Sequence, residues 1–173
     1  MNTAKTLWKI DPTHSEINFK VKHMMISTVS GSFEKFDGKV ESEDDDFRNG
    51  NFSFSAEIDS VNTNNKDRDN HLKSDEFFGA ETNPMLSFKS KSFDGEKMVG
   101  DITIKGVTKE VILNTEYNGI AVDPYGQTKA GFEFEGSLNR KDFGLTWNAI
   151  TEAGSVVVSD KVKLIASLQF IKQ

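Results

Sequence analysis

The run GFEFEGSLN, residues 131–139, puts Phe132, Phe134, Gly136 and Leu138 on one side of an extended chain and Glu133 and Glu135 on the other. Successive side chains of a strand point to opposite faces, so this alternation describes a strand with one face buried and one in water. The pattern recurs along the chain. SEINFKVKH aligns Ile17, Phe19, Val21 and His23; NFSFSAEI aligns Phe52, Phe54, Ala56 and Ile58; MLSFKSKS aligns Leu86, Phe88, Ser90 and Ser92. DITIKG pairs Ile102 with Ile104, and KEVILNTEY sets Val111, Leu113 and Tyr117 together. KVKLIASLQF aligns Val162, Leu164, Ala166, Leu168 and Phe170. Turn-forming residues fall between the runs: Asp37-Gly38, Asn49-Gly50, Asp94-Gly95, Asn118-Gly119 and Asp123-Pro124-Tyr125-Gly126. About eight strands with one apolar face and short connections predict an all-β antiparallel meander, and closing it into a barrel removes its exposed edges.

The predicted inner face is not uniformly large. Ala56, Ser90, Ser92, Gly136 and Ala166 interrupt the bulky positions. Small inward residues in an eight-stranded barrel leave room for one small ligand; alternatively, the Phe side chains of neighbouring strands fill the space. The chain has 14 Phe against 2 Tyr and 2 Trp, and Phe suits a packed core and an apolar site equally. NNKDRDNHLKSDEFF, residues 64–78, is the stretch with helical character. Asn64 is its expected cap, with Asp67 near the positive end of the helix and Asp69 pairing with Lys73. Ser74 is expected to cap a second short turn that sends Phe77 and Phe78 inward. HMMISTVSG, residues 23–31, reads as an apolar turn or lid carrying Met24, Met25, Ile26 and Val29, and EDDD at 43–46 as a solvated turn.

Composition narrows the function. The formal charge is −6 without a Lys/Arg cluster, which argues against a nucleic-acid partner. No segment approaches the roughly 20 apolar residues of a membrane-spanning helix, so stable membrane insertion is not expected. Cysteine is absent, which removes disulfides and thiolate chemistry. His14, His23 and His71 lack metal-ligand spacing, and no G-x-S-x-G elbow or cofactor motif is present, so no metal, cofactor or catalytic residue is expected. The opening MNTAKTLWKID has no apolar run of signal-peptide length. The expectation is one domain over residues 1–173 in the cytoplasm, or in the periplasm if a leader has been removed. Arg68 and His71 have two readings: a polar grip on a charged head group at the barrel mouth, or a brace in which Arg68 pairs with a carboxylate and Leu72 anchors the helix.

Taken in order, WKIDPTHSEINFKVKHMMISTVSGSFEKFDG, NTNNKDRDNHLKSDEFF, NPMLSFKS, VGDITIKGVTKEV, LNRKDFGL and VSDKVKLIASLQF strongly resemble the YceI-like family of polyisoprenoid-binding, lipid-binding proteins, from about Trp8 to Phe170. The resemblance implies an extended lipocalin-like antiparallel barrel with one or two short helices and a long apolar interior. It also implies non-catalytic carriage or storage of an isoprenoid or fatty-acyl amphiphile. The implied apolar wall is Phe19, Val21, Phe52, Phe54, Leu86 and Phe88 on the earlier strands, then Ile102, Ile104, Phe132, Phe134, Leu164 and Leu168. The implied polar-head residues are Arg68, His71 and Arg140. Burial is worth about 0.8 kcal/mol per methylene, so about twenty carbons give an upper bound near ~16 kcal/mol before association costs. The alternative is an enzyme acting on such a lipid with His71 and a nearby carboxylate. A homodimer fits the family, although the chain shows no interface signature.

Overall fold

In a computed structural model describing residues 5–146 and 158–173, the strand segments hydrogen-bond into one antiparallel sheet that closes on itself. β1 (Thr6–Ile10) and β2 (Glu16–His23) are halves of one stave, broken by a 3-10 turn at Pro12–His14, and both pair with β11 (Val158–Lys172). β3 (Ser27–Phe33) and β4 (Phe36–Ser42) form the next stave, β3 against β2 and β4 against β1. β5 (Asn51–Glu57) lies beside β4 and leads into the short β6 (Val61–Asn62), which pairs with β3. β7 (Met85–Phe93), β8 (Lys97–Ile104), β9 (Val107–Val122) and β10 (Thr128–Asn139) follow as neighbours, and β10 pairs with β11 to close the ring. Counted as staves, this is a closed eight-stranded antiparallel barrel of lipocalin-like form, with one α-helix among the described residues, α1 (Lys66–Lys73).

Alternation survives well in β10, where Phe132, Phe134 and Leu138 are buried and Glu133 and Glu135 exposed. Register shifts interrupt the pairing elsewhere, one of them between Val158 and Val162 of β11 and the others in β7 and β9. In β7 the register against β8 shifts between Ser90 and Ser92, so Ser92 turns outward and Phe93 inward, contrary to the simple period. In β9 the register shifts opposite Gly131/Phe132, so Asn118-Gly119 lies within a strand rather than at a turn; Gly119 takes φ +98°. Asp37-Gly38 likewise sits inside β4, and the chain turns earlier, at Glu34-Lys35.

The small inward residues do not open a space. A Cβ on Gly136 would lie 2.6 Å from Leu113 Cδ2. The Ser90 hydroxyl accepts the Phe52 N–H at 2.9 Å. Ala56 and Ala166 are buried among their neighbours. The room they leave is taken by protein.

The barrel has unlike ends. The end carrying β1, residues 43–50 and the β9–β10 turn is packed with rings. Phe132 has Phe47, Tyr117, Phe52 and Phe170 within 6 Å, centroid to centroid. Phe47 is wholly buried at φ +62° and also meets Trp8 edge-on at 5.2 Å. The acidic turn before it thus ends in a plug that closes this end.

At the opposite end α1 begins one residue later than the sequence suggests. Asn65 is the cap, its side chain accepting the Arg68 N–H at 3.0 Å, while Asn64 takes the left-handed conformation at φ +61°. Ser74 closes α1 rather than opening a second helix, and residues 75–78 continue as turns. Asp69 does not pair with Lys73. Its carboxylate accepts the Thr63 N–H and hydroxyl, and Lys73 reaches Asp59 at 3.6 Å.

Candidate functional site

Between α1 and the upper strand ends lies a cavity of about 490 Å³. β2 contributes Phe19 and Val21, β3 Val29 and Phe33, β7 Leu86, β8 Ile104, β10 Leu138, and β11 Val162 and Leu164. Leu72 of α1, with Phe77 and Phe78 just after it, closes one side; Leu145 adds to another. The strands supply this wall because their inward residues are apolar and, beyond the packed rings, have no facing side chain to fill the centre. Phe19 is kept aside by Gly31, its cross-strand partner. A Cβ there would fall 2.3 Å from Phe19 Cζ, so only glycine lets the ring lie against β3.

The floor is closed. Phe54 and Phe88 stack at 4.9 Å, and with Ile102 and Phe134 they surround a void of only about 20 Å³. Leu86 and Leu164 touch both spaces, marking the level at which the cavity ends. The predicted wall therefore divides by height. Phe19, Val21, Leu86, Ile104 and Leu164 face the cavity. Phe54, Phe88, Ile102 and Phe134 form its floor, while Phe52, Phe132 and Leu168 belong to the packed end. Among the described residues, the long interior implied by the resemblance is a cavity at one end above a packed floor. Val29, Phe33, Leu138, Leu145 and Val162 were not among the predicted wall residues. The inward parity of Leu138 and Val162 was visible in the sequence, whereas Phe33 and Leu145 follow glycine-containing stretches with little periodicity.

The rim is polar, with Lys22, His23, Asn65, Asp67, Arg68, His71 and Arg140. The structure brings Arg140 to the same cavity as Arg68 and His71, which sit one turn apart on α1, and each has protein partners. Arg68 donates from Nε to the Thr63 hydroxyl at 2.8 Å and from Nη2 to the Thr63 carbonyl at 2.7 Å. It clamps the segment entering α1, and hydroxyl and carbonyl oxygens take the place of the expected carboxylate. His71 Nε2 meets the Glu76 carboxylate, and its ring stands edge-on to Phe77 at 4.9 Å. Arg140, 2% exposed, donates from Nε to the Ser159 carbonyl at 2.9 Å and from Nη2 to the Val158 carbonyl at 3.2 Å. Burial pushes its pKa below the ordinary value and Asp160, at 3.7 Å, opposes that; a guanidinium keeps its proton at neutral pH regardless. It ties the start of β11 to the end of β10.

His14 belongs elsewhere, at the end of the 3-10 turn, its Nδ1 2.8 Å from the carboxylate of the capping Asp11. Among the described residues no three His, Asp or Glu side chains converge as metal ligands, and no helix is long and apolar enough to cross a membrane. The arrangement has an apolar interior, a closed floor and a charged mouth. Its chemical capability is to exclude water from a chain and leave a polar end at the rim.

A family model for the YceI-like domain matches residues 8–170. A UPF0312 protein of Staphylococcus epidermidis is 39% identical over 166 residues, covering 95% of this chain and 97% of that one. The crystal structure of a Campylobacter jejuni YCEI protein superimposes with a TM-score of 0.72 at 33% identity, over 88% of this chain and 90% of that chain. A domain from Saccharophagus degradans, described as a polyisoprenoid-binding domain implicated in plant cell wall breakdown, gives a TM-score of 0.74 at 15% identity, over 96% and 98% of the two chains. At that identity the likeness is one of fold. The family model spans the barrel from β1 to β11, and the staphylococcal relative is similar over almost its full length: the chain belongs to the YceI-like domain family.

Proposed function

We propose that this protein binds one isoprenoid or fatty-acyl amphiphile in the upper cavity and carries or stores it without chemical change. The observation that carries the reading is the cavity itself, apolar on its walls, blocked by Phe54 and Phe88 below and polar only at the rim. The description of the Saccharophagus domain as polyisoprenoid-binding agrees with it. At about 30 Å³ per water-sized group, a volume of about 490 Å³ takes about sixteen carbons. Burying them contributes at most ~13 kcal/mol, from which association and ordering costs are drawn. Such binding is selective for length and shape more than for identity. Lys22 and Arg68 stand at the mouth beside His71, with Arg140 buried behind them, and an anionic head group held there gains from the charge of Lys22 and Arg68.

Native mass spectrometry of the purified protein, followed by solvent extraction, tests the reading. A stoichiometric adduct with the mass of a single-chain amphiphile is expected, or one that forms on adding palmitate. Protein that stays bare under both conditions would overturn it.

A second reading rests on the contact of His71 Nε2 with the Glu76 carboxylate at the cavity wall, the pairing an acid–base catalyst requires. For an enzyme, His71→Ala abolishes turnover of a bound lipid and leaves its binding intact. Under the carrier reading no turnover is seen in either protein.

A further inference from the structure

The β2–β3 hairpin ends in three consecutive apolar side chains that are exposed among the described residues. Met24 is 37% exposed, Met25 64% and Ile26 82%. His23 pairs with Ser27 across this turn, and the Ile26 N–H returns to the His23 carbonyl at 3.2 Å. Met24 and Met25 both take the left-handed conformation, φ +52° and +59°. Tight hairpins of this shape favour Asn and Gly, which tolerate positive φ and project little into water. Placing Met-Met-Ile here strains the backbone and exposes apolar surface together. Strain of this kind persists where the side chains themselves are needed.

Two further features point to what the tip meets. The same hairpin forms part of the cavity mouth, through Val21, Lys22 and His23 on one strand and Val29 on the other. Whatever enters or leaves the cavity on this side therefore passes beside the tip. The charge is also segregated. From Ile17 to Phe33 there is no acidic residue, while Lys20 and Lys22 point outward. The chain as a whole is −6, so this hairpin carries +2 and the remainder −8. The opposite hairpin also exposes apolar surface, at Val122 and Tyr125, but it carries Asp123 at its turn and lies away from the cavity.

We propose that residues 24–26 are a wedge that enters the surface of an anionic lipid bilayer, with Lys20 and Lys22 against the head groups, and so sets the cavity mouth on the membrane for ligand exchange. Met and Ile side chains suit this, being flexible and fully apolar, and basic neighbours add attraction within a Debye length of an anionic surface. The exchange step rests on the cavity being a lipid site; the docking step does not.

Flotation with vesicles of phosphatidylglycerol and phosphatidylcholine tests the docking. The unaltered protein is expected to float with these vesicles, less so at high salt, and not with phosphatidylcholine alone. Met24→Asn/Met25→Gly keeps or raises the thermal midpoint, because it relieves the turn, and lowers vesicle affinity at least tenfold. Ile26→Ser gives the same direction without touching the left-handed positions. The chain has no cysteine, so Met25→Cys carries a single polarity-sensitive dye, with Tyr125→Cys as the opposite-end control. A blue shift on vesicles is expected at 25 and not at 125. The proposal is overturned if the unaltered protein does not float, if the double variant floats equally well, or if the dye at 25 shifts with protein concentration in the absence of vesicles, which would make a second copy the occupant. A parallel titration with a soluble fluorescent fatty acid separates the two proposals: vesicle binding without saturable uptake of that probe would count against the cavity reading alone.

Discussion

Replacing Leu164 by Trp shortens the cavity from below. Leu164 faces Phe19 and Gly136 across the sheet and touches both the cavity and the small void beneath it, so a larger side chain there grows into the ligand's space. Trp exceeds Leu by about six heavy atoms, but these are fused into compact rings, so the gain is about 60 Å³ and ~430 Å³ of the original volume remains. About two methylenes of a palmitate-length chain then lose their place. At about 0.8 kcal/mol each this forfeits up to ~1.6 kcal/mol, and Kd rises about tenfold. Decanoate, which needs about 300 Å³ at about 30 Å³ per carbon, still fits. Displacement of a bound fluorescent fatty acid by decanoate and by palmitate measures both affinities. A thermal melt checks that the variant remains folded, and Leu164→Phe supplies an intermediate step. Equal loss for the two acids, or no loss for palmitate, would refute a cavity that ends at Leu164.

Three other substitutions follow from the same structure. Gly31→Ala brings a Cβ into the Phe19 ring and drives it toward the cavity, with about a tenfold loss of palmitate affinity and ~1 kcal/mol of stability, read by displacement and urea unfolding. Phe47→Ala removes the plug of the packed end and costs about 3–5 kcal/mol in urea unfolding, with little change in affinity in the protein that stays folded. Asp11 is held at about 2: burial raises its pKa, but hydrogen bonds from Lys129, His14 and the Thr13 N–H outweigh that. A depressed carboxylate stabilises the fold above its unfolded value near 3.8, and that contribution is lost as pH falls toward about 2. Asp11→Asn is therefore less stable by about 1–2 kcal/mol at neutral pH, allowing for solvent screening, and the gap narrows between about pH 4 and pH 2 in urea titrations.

Period-two alternation was enough to predict the barrel because most inward residues keep their parity, as β10 shows over Phe132, Phe134 and Leu138. Parity failed at the bulge of β7, where one extra residue flips the next side chains, and in β9 it held for Val111, Leu113 and Tyr117 while the expected turn at Asn118-Gly119 proved to be a bulge inside the strand. Alternation also says which face a residue takes and nothing of its height along the barrel. Phe132 and Phe19 read alike in sequence, yet one lies among packed rings and the other in a cavity wall. What separates them is a lone Phe47 folded back from an acidic turn, a long-range contact invisible to local pattern. The polar rim was legible as residue types, since Arg68, His71 and Arg140 do meet at the cavity. A carboxylate beside His71 was also legible, and Glu76 supplies it, whereas the partners of the arginines were not, because backbone carbonyls and the Thr63 hydroxyl receive guanidinium bonds of Arg68 and Arg140.

Methyl-resolved NMR on addition of palmitate tests the central claim most directly, because it reads the two ends of the barrel separately. The account predicts saturable shifts at Val21, Val29, Leu72, Leu86, Ile104 and Leu164, which line the cavity, and unmoved signals from Val40, Met98 and Leu168 in the packed core. Shifts at Val40, Met98 and Leu168, or none at the cavity methyls, would contradict it.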